Sequence, residues 1–250
     1  MKSCLNILIL FFMLAGCTNK RPAKVHLTQE NPSQNCSCTK DTLLAQIISC
    51  KPKLLDNGAK LYWSYNCDSS WLTFENSAGE KKTIFKLGDG LVQLTNRLGH
   101  TDFKEFSTTF LYTNRVISGC CDPDDYYLYS KSSGKLIKKF GSAIYVSDNS
   151  RMPFLVSVSN SNYDRISRFD FYSLSLYNID TQKSFKIKIK KGDIEKGMNN
   201  NNNYMFPEFL FDTCTIDDQK LTIRYFTEKH IKGTEPNYKS IKVDLKQYLR

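Results

Sequence analysis

Four times along this chain a strand-like run, a cluster of turn-forming residues and a second strand-like run follow one another. That recurrence leaves room for little but a sheet protein. Trp71 to Asn76 leads through Ser77-Ala78-Gly79 into Lys81 to Leu87, and Tyr126 to Ser130 leads through Ser132-Ser133-Gly134 into Lys135 to Phe140. Ser173 to Ile179 leads through Asp180-Thr181-Gln182 into Ser184 to Lys190. Leu221 to Phe226 leads, by a longer loop containing Gly233 and Pro236, into Lys239 to Leu245. Glycine and short polar residues between period-two runs predict hairpins. Aromatic residues make up 13% of the chain, with 14 Tyr and 16 Phe against 2 Trp. Flat, half-buried side chains of this kind suit a pleated surface.

Another apolar run precedes each hairpin: Leu61 to Tyr65, Phe110 to Ile117, Phe154 to Val158, and Phe206 to Phe211. The closing strands recur about every 50 residues, enough chain for four strands apiece. The loops entering the first two hairpins are also alike, Asn66-Cys67-Asp68 before Trp71 and Cys120-Cys121-Asp122 before Tyr126. From about Gly58 to Leu245 the pattern resembles β-propeller repeats, which implies an all-β fold of four-stranded blades. A β-sandwich assembled from the same hairpins is the alternative. One short helix is expected ahead of the sheets, over Asp41 to Ser49. Asp41 would cap it, and Leu43, Leu44, Ile47 and Ile48 would share its apolar face.

The net charge of +10 has a structural explanation in this scheme. Closing strands alternate apolar residues with lysine, most regularly in Phe185-Lys186-Ile187-Lys188-Ile189-Lys190. Lysine along an outermost strand keeps its unpaired edge from recruiting other chains. No nucleic-acid partner is therefore expected from the basic excess. The asparagine run from Asn199 to Asn203 reads as a solvated loop between units.

Ahead of the repeats, Lys2 is followed by an apolar run from Leu5 to Leu14, interrupted only by Asn6, and then by Leu14-Ala15-Gly16-Cys17. The run is about half of the roughly 20 residues a membrane-spanning helix needs. This segment resembles the signal of bacterial lipoproteins. The resemblance implies cleavage between Gly16 and Cys17, a diacylglycerol thioether on Cys17 and further acylation such as palmitate. An ordinary secretory leader is the plainer alternative. Thr18 stands where the resemblance would want Asp for inner-membrane retention, which favours the outer membrane. The expected organisation is a signal peptide over 1–16, a lipid-anchored flexible tether over 17–34 and a single mostly-β domain over 35–250. The tether is polar from Thr18 to Gln34, carries Lys20, Arg21, Pro22, Asn31, Pro32 and Ser33, and has no apolar period.

Of nine cysteines, Cys4 leaves with the leader and Cys17 takes lipid. The other seven, Cys36, Cys38, Cys50, Cys67, Cys120, Cys121 and Cys214, are disulfide candidates in an oxidising envelope. An odd count leaves one unpaired within the chain, and the connectivity is open. Zinc is the weaker reading, because Cys36-Ser37-Cys38 has one spacer and no histidine stands at finger spacing. Cys120 and Cys121, as neighbours on an extended chain, should face different partners.

Asp122, Asp124 and Asp125 are the densest acidic cluster and a weak candidate for a hard cation; a polar turn is the plainer reading. Tyr62, Trp63, Tyr65, Trp71, Tyr126, Tyr127 and Tyr129 offer an aromatic binding surface, although alternation should place about half in the core. The three histidines, His26, His100 and His230, do not stand at catalytic or ligand spacing from an acid, serine or cysteine. No cofactor is expected. The chain is read as a non-enzymatic envelope lipoprotein, bound to the membrane through its lipid, that binds or scaffolds a protein or surface polymer. The alternatives are an immunity or inhibitor lipoprotein directed at a toxin or hydrolase, and an envelope hydrolase using His100 or His230.

Overall fold

Alternation along the chain decides which side chains can share a face, and the strands form where the alternation is regular. A computed structural model describes residues 36–39, 42–98, 103–114, 124–148, 151–158, 173–189, 207–227 and 237–249. Four antiparallel sheets follow one another. The first contains β1 (Lys53–Leu54), β2 (Lys60–Tyr65), β3 (Ser70–Glu75) and β4 (Lys81–Leu87), in that order. The second contains β5 (Phe103–Glu105), β6 (Thr109–Asn114), β7 (Asp125–Ser130) and the first part of β8 (Leu136–Val146). The rest of β8 opens the third sheet, followed by β9 (Phe154–Val158), β10 (Ser173–Asn178) and β11 (Lys183–Lys188). The fourth is β12 (Phe211–Asp217), β13 (Lys220–Phe226) and β14 (Tyr238–Asp244). All four expected strand pairings are present, the first three at their expected turns; the loop through Gly233 and Pro236 lies outside the described residues.

Strand β8 belongs to two sheets. It pairs with β7 as far as Ser142 and with β9 from Ala143 onward. Gly141, at φ +65°, occupies the changeover, a backbone conformation that L side chains rarely adopt. Register shifts flank it at Tyr126/Tyr127 and Ala143/Tyr145. Bulges of this kind bend a strand away from one partner and towards the next.

The sheets pack face against face in chain order, as successive blades do. Trp63, Leu72 and Phe74 meet Phe110, Tyr112 and Tyr129 between the first and second. Leu111, Leu128 and Phe140 meet Leu155 and Tyr177 between the second and third. Val156, Leu174 and Leu176 meet Leu221, Ile223 and Tyr225 between the third and fourth. Phe110 and Tyr112 thus serve one core while Leu111 between them serves another, as side-chain alternation requires. A strand inside the stack can be covered on both faces, and every residue of β9 is buried. A strand in an end sheet is apolar at alternate positions, as in the buried Leu61, Trp63 and Tyr65 of β2. A two-sheet sandwich would have a single core; three are present among the described residues.

The lysines lie as the edge argument requires. β4, β11 and β14 each pair on one side only, and Lys82, Lys86, Lys186, Lys188 and Lys242 on them are exposed.

Three expectations need correction. The helix is shorter than expected, α1 (Thr42–Ile47), and Leu43 is 66% exposed while Leu44 and Ile48 are buried. A single turn and a half presents only the stripe through positions 44, 47 and 48, and Leu43 falls outside it. Asp41 lies outside the described residues. The strand expected over Phe206 to Phe211 is instead a 3-10 turn, Pro207–Leu210, followed by β12. β12 turns into β13 through Asp218 and Gln219, at φ +39° and +63°. A two-residue hairpin with positive φ at both positions normally takes Asn or Asp followed by Gly, so Asp-Gln conceals the turn.

Candidate functional site

The hairpin turns of three sheets converge at one place, and their short polar side chains make the site. In the turn from β1 to β2, Leu55 N donates to Ala59 O (2.8 Å) and Gly58 takes φ +82°. In the turn from β5 to β6, Phe106 N donates to Thr109 O (2.9 Å). The turn from β7 to β8 begins at Lys131, whose backbone N donates to Thr108 O (3.0 Å). Asn57 Nδ2 donates to Lys131 O (2.9 Å), tying the first sheet to the second.

The Lys131 side chain lies under this junction, 2% exposed. Its Nζ donates to Asp56 Oδ1 (2.6 Å) and to Glu105 Oε1 (3.3 Å), and Asp56 N donates to the same Glu105 oxygen (3.0 Å). The hydrogen bond from Lys131, followed by its charge, holds the Asp56 carboxyl below its usual 3.8. A carboxyl depressed on folding stabilises the fold above its unfolded pKa, and that contribution fades as pH falls below about 4. Lys131→Met would keep the buried stem and remove the ammonium, while Asp56, 64% exposed, regains water. The expected loss is about 1–3 kcal/mol. It would be read as a lower urea midpoint at unchanged slope. An unchanged midpoint would show that the ion pairs hold nothing.

Above the junction lies a cleft of about 420 Å³, lined by Asn57, Ser107, Thr108, Thr109, Ser130, Lys131, Ser132, Ile137 and Gln182. Gln182 comes from the turn of the third sheet, at φ +58°. Asn57, Ser107, Thr108, Ser132 and Gln182 are exposed and present hydroxyl and amide groups. Thr109 is 1% exposed, and its Oγ1 is buried without a hydrogen-bond partner. Among the described lining residues there is no histidine, cysteine or carboxylate. The arrangement supplies donors and acceptors in quantity, which is the equipment of recognition.

None of these residues was singled out from the sequence. Ser132 and Gln182 read locally as turn residues and nothing more, and the meeting of the turns depends on how the sheets stack.

Two disulfides are present among the described residues, Cys36–Cys67 and Cys38–Cys50. The second brackets α1, and Tyr65 OH donates to Ser37 O (3.0 Å) between them. Asn66 prepares the loop for Cys67, its Oδ1 accepting from Asp68 N (2.9 Å) and Ser69 N (2.8 Å). Cys214 is a free thiol, half-buried against the core between the third and fourth sheets. Burial pushes its pKa up to about 12, so little thiolate exists to react. Gly16, Cys17, Cys120, Cys121, Asp122, His26, His100 and His230 all lie outside the described residues.

Asp124 and Asp125 do not converge on a common point with other ligands. Asp125 is 9% exposed, with Lys139 Nζ 3.5 Å from its Oδ2, and Asp124 is half-buried. Among the described residues no three His, Cys, Asp or Glu are grouped to hold a metal ion.

The aromatic set is divided by strand alternation. Trp63, Tyr65 and Tyr129 are buried, and Tyr129 OH donates to Ile84 O (3.1 Å). Desolvation raises the Tyr129 pKa to about 12. Tyr62, Trp71, Tyr126 and Tyr127 are half-buried, and Tyr62 OH donates to Glu75 Oε2 (3.0 Å). No helix among the described residues is long and apolar enough to cross a membrane.

Compared with protein-family models and with curated proteins, the sequence finds no match in either.

Proposed function

We propose that this chain is an exported lipoprotein of the bacterial envelope, carried on the membrane by acyl chains on Cys17, whose β domain binds a ligand and does not turn it over. The observation that carries the export is the pair of bridges, Cys36–Cys67 and Cys38–Cys50, because cytosolic thiols are kept reduced. The leader ending in Leu14-Ala15-Gly16-Cys17 supports attachment. Two or three acyl chains, at about 0.8 kcal/mol per buried methylene, make such attachment effectively permanent. Thr18 after the acceptor cysteine favours the outer membrane. The polar cleft supports binding, since its described lining offers hydrogen-bonding groups and no paired nucleophile and base.

Fractionation of cells tests the anchor. The wild-type chain is expected in the membrane fraction, released by detergent and not by high salt. Cys17→Ser is expected in the soluble fraction. Wild-type partitioning of Cys17→Ser would remove the lipid from the account and leave an exported protein held some other way.

A further inference from the structure

We infer that the cleft above Lys131 takes a neutral, hydroxyl-rich ligand, a saccharide unit, in place of the anion that the chain's net charge would favour. The inference deepens the binding role proposed above and rests on it. Size comes first: about 420 Å³ falls within the range of small-molecule sites.

Charge comes second. The chain carries +10, yet the charged residue of the described lining, Lys131, already gives its ammonium to Asp56 and Glu105. With that ammonium engaged by two carboxylates, the described lining offers an incoming phosphate or carboxylate no unengaged cation. The basic excess lies elsewhere, including the lysines exposed on edge strands.

The lining chemistry comes third. Exposed hydroxyls of Ser107, Thr108 and Ser132 and the amides of Asn57 and Gln182 each donate and accept, as vicinal sugar hydroxyls do. Ile137 adds an aliphatic patch, suited to the C–H face of a pyranose ring.

Saturation-transfer NMR on the detergent-solubilised full chain tests this with N,N′-diacetylchitobiose, cellobiose and maltose at about 10 mM, in the range where weak recognition is detectable. Digalacturonate serves as the charged comparison. At least one neutral disaccharide should receive saturation, and digalacturonate should receive less. The Thr108→Ala/Ser132→Ala double variant changes exposed turn residues and should fold. It should weaken that signal about tenfold, the value of one or two lost hydrogen bonds.

Absence of transfer to all three neutral sugars overturns the saccharide assignment. Preference for digalacturonate does the same. Transfer unchanged in the double variant would locate sugar binding elsewhere, overturning the cleft while leaving a binding domain. Failure of the lipoprotein reading is read separately, in the partitioning of Cys17→Ser.

Discussion

Gly134→Ala should destabilise the domain by about 3 kcal/mol, combining overpacking of roughly 1–3 with about 1 for an L residue at positive φ. Gly134 sits in the turn from β7 to β8 at φ +59°. A methyl there would press on the Phe74 ring of the neighbouring sheet, overlapping Cδ1 and standing 2.8 Å from Cγ. The ring has nowhere to go. Phe74 is 1% exposed and stacks on Phe110 with centroids 5.9 Å apart, and Phe110 stacks in turn on Tyr129 at 5.3 Å. The column joins the first sheet to the second, so a displaced Phe74 loosens the interface as well as the turn. Urea unfolding measures the loss. Gly134→Ala combined with Phe74→Leu should recover part of the packing cost and none of the backbone cost, giving a favourable coupling between the two sites. A loss under about 0.5 kcal/mol, the level of an ordinary surface change, would show that the turn does not bear on the core as described.

Reduction of the two bridges should cost more. Cys36–Cys67 closes 31 residues and Cys38–Cys50 closes 12. Taken singly, the lost restriction of the unfolded chain amounts to about 3–4 and about 3 kcal/mol. The shorter loop lies within the longer, so the sum overstates the effect, and about 5 kcal/mol is the expected total. Against a typical stability of about 5–15 kcal/mol, the region should unravel before the remaining sheets. Helix α1 should lose amide protection first, because its 6 residues are too few to persist without tertiary support. The measurement is a pair of urea curves with and without reductant, together with hydrogen exchange at Leu44 to Ile48. If the curves coincide, the bridges are decoration and Tyr65, Ser37 and the apolar contacts hold the segment alone.

The difference between the parts legible in sequence and those that were not is physical. Hairpins were legible because alternation and turn chemistry are local: Ser77-Ala78-Gly79 and Ser132-Ser133-Gly134 need only their neighbours to turn. The turn at Asp218-Gln219 was missed for the same reason in reverse, since glutamine gives no local sign of positive φ. Which cysteines pair is a question of distance, and spacing along a chain does not answer it. Lys131 was the hardest residue to foresee. In a Lys-Ser-Ser-Gly turn it looks solvated, and only the arrival of Asp56 from the β1–β2 turn and Glu105 from the end of β5 makes burying it tolerable. The cleft follows the same rule, because four turns with unremarkable sequences become a site when stacked sheets bring their tips together.

The Cys36–Cys67 bridge also sets the route by which mechanical force crosses the molecule. Traction applied to the backbone ahead of Cys36 passes through sulfur to Cys67 and onward, short-circuiting residues 37–66. That shielded stretch holds the short helix and the first two strands, which a continuous peptide path would have to stretch first. A domain wired this way yields to pulling only where strands beyond residue 67 peel apart, or where the sulfur link itself is reduced.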